Sequence, residues 1–441
     1  DDEHITLTWE DNCHFESHYV IERDQGSGYA EIASIDANQT AYTDNTLTYS
    51  ETYQYRVKAK TDLNSSAYTN ESLPVEVIIS PPYNLSYSKI DEFSLELTWN
   101  DTCHFESGFK IERDDGSGFT EIATVNADQH SYTDNDVVID VDYEYRVYTF
   151  TTKNQSVKTE NMHLVLPPDG FSFVRGNTFQ MGDIWHIGDE DEFPIRFVTL
   201  PDFYMGKYEV THADFIEFLN SVEVDEDGYK DGNMLIDIRD IDCAVEWDGM
   251  EFFFNKTSKV STITSAVIEV TWYGAVEYCN WLSEINGKQT AYTIDGENII
   301  CDWEVLGYRL PTEAEWEFAA RAGGRDDQKY SGTNYDSEAN DYVVNYQNSG
   351  GRVNDVGTKL PNPLGIYDMS GNVWEWCWDW HAGYLSTNPY FPTGPADGDY
   401  KVRRGGSWSY GIYYSRTSNR GSNSPTISND FIGFRVCLPR E

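Results

Sequence analysis

Two residue pairs with metal or redox chemistry recur in this chain. Cys13-His14 and Cys103-His104 each place a thiol beside an imidazole. Zinc normally takes four such ligands, and each pair offers two. The same cysteines could instead form a disulfide between repeats or between chains, or serve as plain loop residues. His18 has no counterpart, because Gly108 stands at the equivalent position. The cysteines number seven, at 13, 103, 243, 279, 301, 377 and 437. An odd count leaves at least one free, or pairing between molecules, in an exported chain. The sequence contains no Gly-x-Ser-x-Gly, no phosphate-binding glycine loop and no His-Glu-x-x-His.

Composition removes further classes of function. The formal net charge is −44, which opposes nucleic acid and an anionic membrane surface alike. No apolar run is long enough for a transmembrane helix, so membrane insertion is not expected. Like charge of this size costs stability unless cations or salt screen it. Bound calcium or a saline medium would do so; the alternative is simple solubility of an acidic secreted protein. Aromatic residues make up 15% of the chain, including 31 Tyr and 13 Trp, enough to build packed cores. Asn-x-Ser/Thr glycosylation acceptors stand at Asn38, Asn64, Asn70, Asn84, Asn100, Asn154 and Asn255. Their clustering in the first third points to an extracellular or cell-surface location. The opening at Asp1 without a signal peptide fits a processed or trimmed chain.

The first third is a duplication. Ile5-Thr6-Leu7-Thr8-Trp9 returns as Leu95-Glu96-Leu97-Thr98-Trp99, Ile21-Glu22-Arg23-Asp24 as Ile111-Glu112-Arg113-Asp114, and Tyr53-Gln54-Tyr55-Arg56-Val57 as Tyr143-Glu144-Tyr145-Arg146-Val147. Each alternation puts large residues on one face, as a half-buried strand does. Gly26-Ser27-Gly28 and Gly116-Ser117-Gly118 mark hairpin tips. The early Trp and late Tyr resemble fibronectin type III modules, in which the Trp fills the core and the Tyr hydroxyl pins a corner. The predicted modules span residues 1–79 and 80–166. The second has a leading segment, Pro81–Tyr87, that would form a first strand, whereas the first begins at its second strand. Either the chain was truncated, or another molecule supplies a strand to the open edge.

Leu166-Pro167-Pro168-Asp169-Gly170 leads into a third domain, 167–441. Its blocks run Val174-Arg175-Gly176-Asn177-Thr178-Phe179-Gln180-Met181-Gly182, Tyr208-Glu209-Val210-Thr211, Val270-Thr271-Trp272-Tyr273-Gly274-Ala275, Tyr308–Glu317, Asn362–Met369, then Arg403-Arg404-Gly405-Gly406-Ser407-Trp408 and Gly433-Phe434-Arg435. A helix is predicted from Ala275 to Leu282, with Ala275, Tyr278, Cys279 and Leu282 on one face. Another starts at Thr312 with Glu315 as its capping partner, burying Trp316, Ala319 and Ala320. Turns dominate elsewhere. In this order the blocks resemble the formylglycine-generating (sulfatase-modifying factor) family, whose loop-rich fold is akin to C-type lectins. The expected fold class is therefore multidomain, mainly β plus α+β, with two fibronectin type III-like sandwiches ahead of a lectin-like domain.

The resemblance also says which chemistry to look for. Active members hold copper on two thiolates and oxidise a substrate cysteine, and soft thiolates suit Cu(I). Here positions 409–436 contain no cysteine, and the resemblance puts the thiolate positions on residues such as Tyr410 and Ser415. That implies no copper and no catalysis of the family type. A sulfoxide-forming iron branch needs a helical domain with a histidine triad, and only nine histidines occur. A calcium loop is implied at Asp368-Met369-Ser370-Gly371-Asn372-Val373-Trp374-Glu375, with side-chain oxygens from Asp368 and Glu375 and carbonyls from Gly371 and Val373; a hydrogen-bonded turn is the alternative. Related lectin-like proteins contact ligands through the surface that here carries Trp408, Tyr410, Tyr413, Tyr414, Asn419 and Asn423. The sequence thus predicts a non-catalytic extracellular structural or adhesive protein that self-associates into an oligomer, filament or lattice. The alternatives are a lectin-like receptor with a protein or glycan ligand, and an enzyme of unrecognised chemistry.

Overall fold

The computed structural model describes residues 4–47, 51–77, 79–103, 106–152 and 155–440. The chain divides into two compact units, Asp1–Leu166 and Pro167–Glu441. No helix is long and apolar enough to cross a membrane among the described residues.

The N-terminal unit repeats one design twice. The first copy comprises β1 (Ile5–Thr8), β2 (His18–Asp24), β3 (Ala30–Asp36), β4 (Ala41–Asp44), β5 (Glu51–Lys60) and β6 (Val75–Val77). The second comprises β7 (Tyr83–Lys89), β8 (Leu95–Asn100), β9 (Gly108–Asp114), β10 (Thr120–Asn126), β11 (Ser131–Asp134), β12 (Asp142–Phe150) and β13 (Met162–Val165). Sheets β3-β2-β5-β6 and β10-β9-β12-β13 correspond, and the pair β1-β4 corresponds to β11-β8 in the sheet β11-β8-β7. This is the fibronectin type III-like arrangement. β7 covers the edge of β8, and among the described residues β1 has no such neighbour. The side chains register the difference. Leu95, Leu97 and Trp99 are at most 3% exposed, whereas Ile5, Leu7 and Trp9 are only partly buried against their core.

Each copy is pinned by a buried Arg–Asp–Tyr triad. Asp44 accepts from the Arg23 guanidinium at 2.7 Å and from the Tyr55 hydroxyl at 2.9 Å. Asp134 accepts from Arg113 at 2.8 Å and Tyr145 at 2.7 Å. The expected tyrosine corner is therefore a charged one. A second set swaps places between copies. Lys58 and the Tyr68 hydroxyl both donate to Glu22; in the second copy Tyr148 stands where Lys58 does, and Lys158, at Tyr68's position, donates to Glu112. Cys13 and Cys103, the possible disulfide, are not bridged. The reason is packing: Cys13 lies against the first core and Cys103 is 4% exposed in the second copy. His104 lies outside the described residues.

The C-terminal unit is loop-rich. β14 (Phe171–Val174), β17 (Phe203–Gly206) and β22 (Cys437–Pro439) form one sheet, and β15 (Thr178–Met181) pairs with β16 (Arg196–Thr199). A four-stranded sheet orders β20 (Arg420–Asn423), β19 (Lys401–Arg404), β18 (Trp374–Trp380) and β21 (Ile432–Gly433). The helices α1 (His212–Ser221), α2 (Trp272–Ile285) and α3 (Glu313–Ala320) start at the N-caps Thr211, Thr271 and Thr312. Thr312 and Glu315 close the expected capping box, with Glu315 N donating to Thr312 Oγ1 at 3.1 Å. The predicted one-sided stripe on α3 is corrected, because every residue from Glu313 to Ala320 is buried. Buried arginines make that possible. Glu315 takes Arg309 in a two-pronged pair at 2.7 Å, Glu317 takes Arg321 and Arg404, and Glu313 takes Arg420 at 2.6 and 2.8 Å.

Removing one member of such a group leaves an uncompensated buried charge. Asp134→Ala should lower the stability of its module by about 3 kcal/mol or more, read as an earlier urea transition, and Tyr145→Phe by less. A second expectation concerns pH. Glu269, 3% exposed with φ +59°, is pushed up to about 8 by burial and by Asp240 and Asp430. The folded state holds a proton that the unfolded chain releases above about 4.5. Its contribution is complete below that pH and lost as pH rises through about 8. Glu269→Gln should therefore flatten the fall in melting temperature between pH 5 and pH 8 relative to the parent; an unchanged slope would refute this assignment.

Candidate functional site

The region where the sequence places calcium ligands, former thiolate positions and ligand-facing aromatics is a set of loops around β18 and β19. Two glycines fix its shape. A Cβ on Gly371, at φ +94°, would stand 1.9 Å from the Val344 carbonyl, and one on Gly406 would stand 2.8 Å from Ser415 Oγ. Only glycine permits these approaches. Gly371 N donates to the Gly405 carbonyl at 2.7 Å, and Trp408 N to the Asn372 carbonyl at 2.7 Å, so the two loops are stapled together.

Asp368 sits in this turn at φ +58° and is 3% exposed. Its Oδ2 accepts from Gly357 N at 2.6 Å, while Oδ1 is buried without a hydrogen-bond partner. Burial pushes its carboxyl up to about 6, with Glu375 adding to the shift. Glu209 is held by the turn itself, accepting from Asn372 Nδ2 at 2.6 Å and Val373 N at 3.2 Å. Burial, then the charges of Asp368 and Glu375, raise it well above the usual carboxylate range. Glu375 has a different partner from the one expected. Both its oxygens accept from Arg435, at 2.6 and 2.7 Å, and Oε2 also from Trp316 Nε1 at 2.7 Å. Among the described residues no group of three or more His, Cys, Asp or Glu side chains is placed to hold a metal ion. Asp368 Oδ1 is left without a partner near the raised carboxyl of Glu209, which suits a hard cation; Glu375 does not fit as a calcium ligand, because Arg435 takes both its oxygens.

The positions that the family resemblance assigns to thiolates are built into the packing. Tyr410 meets Trp374, Tyr414 and Phe431 edge-on, at centroid distances of 5.9, 5.2 and 5.4 Å. Ser415 is fully buried, its carbonyl accepting from Ser370 Oγ at 2.8 Å, its own Oγ without a partner. Phenol and hydroxyl oxygens are hard donors, unlike the soft sulfur that Cu(I) prefers.

The predicted ligand surface holds only in part. Tyr413 and Tyr414 are 38% and 41% exposed and adjoin each other, and Tyr410 and Asn423 are half-buried. Trp408 and Asn419 are corrected: both are buried, Trp408 donating to the Asp430 carbonyl at 2.7 Å and Asn419 reaching Glu192. An aromatic in a packed loop fills space beneath the surface rather than presenting itself. Sequence reasoning missed the groups that hold this face. Glu192 takes Arg416 at 2.7 and 2.8 Å, and the Tyr413 hydroxyl donates to Asp189 at 3.0 Å. The partners are 224 residues apart, so no local signal marks them. Of the glycosylation acceptors, Asn38, Asn64, Asn70, Asn84, Asn100 and Asn255 are exposed, and Asn154 lies outside the described residues.

The chain is similar to known proteins over its C-terminal part. Residues 155–439 match the family model described as a sulfatase-modifying factor enzyme 1-like domain. The serine/threonine-protein kinase pkn1 of Chlamydia pneumoniae is 32% identical over 275 residues, which are 59% of this chain but only 36% of that kinase. The formylglycine-generating enzyme of Mus musculus is 31% identical over 289 residues, 59% of this chain and 73% of the enzyme. Among solved structures, Treponema denticola variable protein 1 aligns at 28% identity with a TM-score of 0.49, over 65% of this chain and 96% of that one. With the family model spanning well over half of its length, the chain belongs to the sulfatase-modifying factor enzyme 1-like family, and it carries that domain behind fibronectin type III-like modules.

Proposed function

We propose that this protein is a non-catalytic structural or adhesive subunit that works outside the cell, in a surface or extracellular assembly such as a filament or lattice. One observation carries the non-catalytic part. At the thiolate positions stand a tyrosine locked among aromatic rings and a serine buried in the core, so the loops keep their architecture without the ligands for copper. Self-association is supported by Ile5 and Leu7 on β1 and Trp9 just after it, which stay partly exposed among the described residues although their counterparts in the second copy are covered. Exposed acceptor asparagines in the β-sandwich modules support an extracellular setting. Calcium belongs to the same proposal. It would sit on Asp368 and the Gly371 and Val373 carbonyls, and would supply positive charge to a pocket in which Glu209 and Asp368 outnumber the cations.

A second reading, a lectin-like receptor with a protein or glycan ligand, is favoured by the exposed Tyr413–Tyr414 pair. Saturable binding that disappears when both are changed to Ala would select it. An enzyme of unrecognised chemistry would be revived by redox-active copper or iron in the purified protein.

Two measurements test the main reading. Sedimentation and electron microscopy across salt and calcium should show ordered oligomers; a monomer under every condition would sink the assembly role. For the ion, chelator should lower the melting temperature of the parent protein and leave Asp368→Ala unmoved. Equal responses of the two proteins would remove calcium from this loop.

A further inference from the structure

Six buried arginines of the C-terminal unit face carboxylates: Arg309, Arg321, Arg404, Arg416, Arg420 and Arg435. Arg196, on β16, does not. It has no ion pair among the described residues, its Nη2 reaches only the Met181 sulfur at 3.5 Å, and its Nε is buried without a partner. A thioether is a weak acceptor, so the guanidinium is under-satisfied in a chain with 75 acidic residues to draw on.

Arg196 lines a cleft of about 300 Å³ between β16, the end of β18 and the following loop. Its guanidinium lies 4.3 Å from the Tyr384 ring, and Arg420 lies 4.0 Å from the same ring. Arg420 is consumed: Glu313 takes two of its nitrogens, and the third donates to the Asp191 and Ala382 carbonyls. Tyr384, Leu385 and Pro392 give the cleft apolar walls, and Asp379 lines it as well. Asp379 accepts from Glu313 N at 2.8 Å; burial and the charge of Glu313 push it up to about 7. With Glu313 taken by Arg420, Arg196 is a cation of the cleft that no carboxylate meets at ion-pair distance among the described residues. The walls are preformed. Thr199 N donates to the Pro389 carbonyl at 3.1 Å and Phe391 N to the Thr199 carbonyl at 2.8 Å, which ties the loop to β16.

We infer that this cleft binds a small hydroxylated carboxylate, such as a uronate, with its carboxylate on Arg196. An arginine stacked on an aromatic ring keeps its edge N–H groups for a carboxylate. A cleft of this size with apolar walls and a few polar groups is of the kind that small ligands occupy. Asp379 offers a hydrogen-bonding partner to a ligand hydroxyl. The inference does not depend on the assembly role, since a monomer would carry the same cleft.

Isothermal titration of the full chain with glucuronate, acetate and glucose tests it. The buffer should contain about 0.15 M salt, which screens the protein's own negative field beyond about 8 Å. Glucuronate should bind, acetate should compete with it, and glucose should not bind. Arg196→Gln should weaken glucuronate by about tenfold or more, the loss expected for one hydrogen bond to a charged group, and Arg196→Lys should recover part of the affinity. Melting curves of both variants should match the parent, which separates loss of the site from loss of the fold. Absence of glucuronate binding, equal binding by Arg196→Gln, or equal affinity for glucose would each overturn the assignment.

Discussion

The C-terminal domain depends on one constraint: its buried carboxylates need guanidinium partners. Helix α3 carries Glu313, Glu315 and Glu317, all buried. A bare carboxylate in that environment costs several kcal/mol even after relaxation. Arg309 comes from the loop before the helix, Arg404 from β19, Arg420 from β20, and each is brought in from a different part of the chain. Glu192 with Arg416 and Glu375 with Arg435 extend the same principle to the loop face and to β18. With so few long helices or sheets, these pairs and their accompanying hydrogen bonds define where the loops can go. Apolar packing alone would tolerate sliding; a two-pronged Arg–Glu pair fixes distance and plane together.

How much of this was legible follows from range. The helix α3 was readable because Thr312 and Glu315 are three residues apart. The duplicated sandwiches were readable because strand alternation is local and the repeat offset makes each copy a check on the other. The buried face of α3 was not, because period-3.6 reasoning treats glutamates as solvated, and the arginines that bury them lie far off in sequence. Arg404 and Glu317 are 87 residues apart, Arg416 and Glu192 are 224 apart. The same blindness explains Trp408 and Asn419. Residue type suggested contact surfaces, and tertiary context turned them inward. Glu375 shows the converse case, since the family resemblance makes it a calcium ligand but Arg435 takes both its oxygens.

Charge asymmetry connects the interior to the whole chain. The excess of acid is not confined to the surface, for Asp368, Glu209, Glu269 and Asp379 are all buried and all held above their ordinary range. Each is disfavoured as an anion by burial and by a neighbouring acid. Where Glu375 or Glu313 has its arginine, a second carboxylate nearby has none. A protein in that condition gains stability from anything that supplies positive charge locally: a proton, a divalent cation, or a partner's lysine. The interior thus makes the domain sensitive to ionic conditions in a way that surface charge alone, screened by salt, would not.

The same frame bears on the proposal that the loops hold the family architecture without thiolates. The turn at Gly371 and the stapled Gly405-Gly406 loop meet residues 410 and 415 largely through backbone groups: Ser370 Oγ donates to the Ser415 carbonyl and Tyr410 N to the Ser407 carbonyl. Tyr410 instead adds an edge-on contact to Trp374, and Ser415 is held through its backbone carbonyl rather than its hydroxyl. Neither position is required to be sulfur for the loops to close. The constraint that shapes the domain is electrostatic and deep, and under the non-catalytic proposal the side chains at 410 and 415 are chosen by packing. A domain built this way can change its role by changing a handful of loop residues while the buried pairs keep its form.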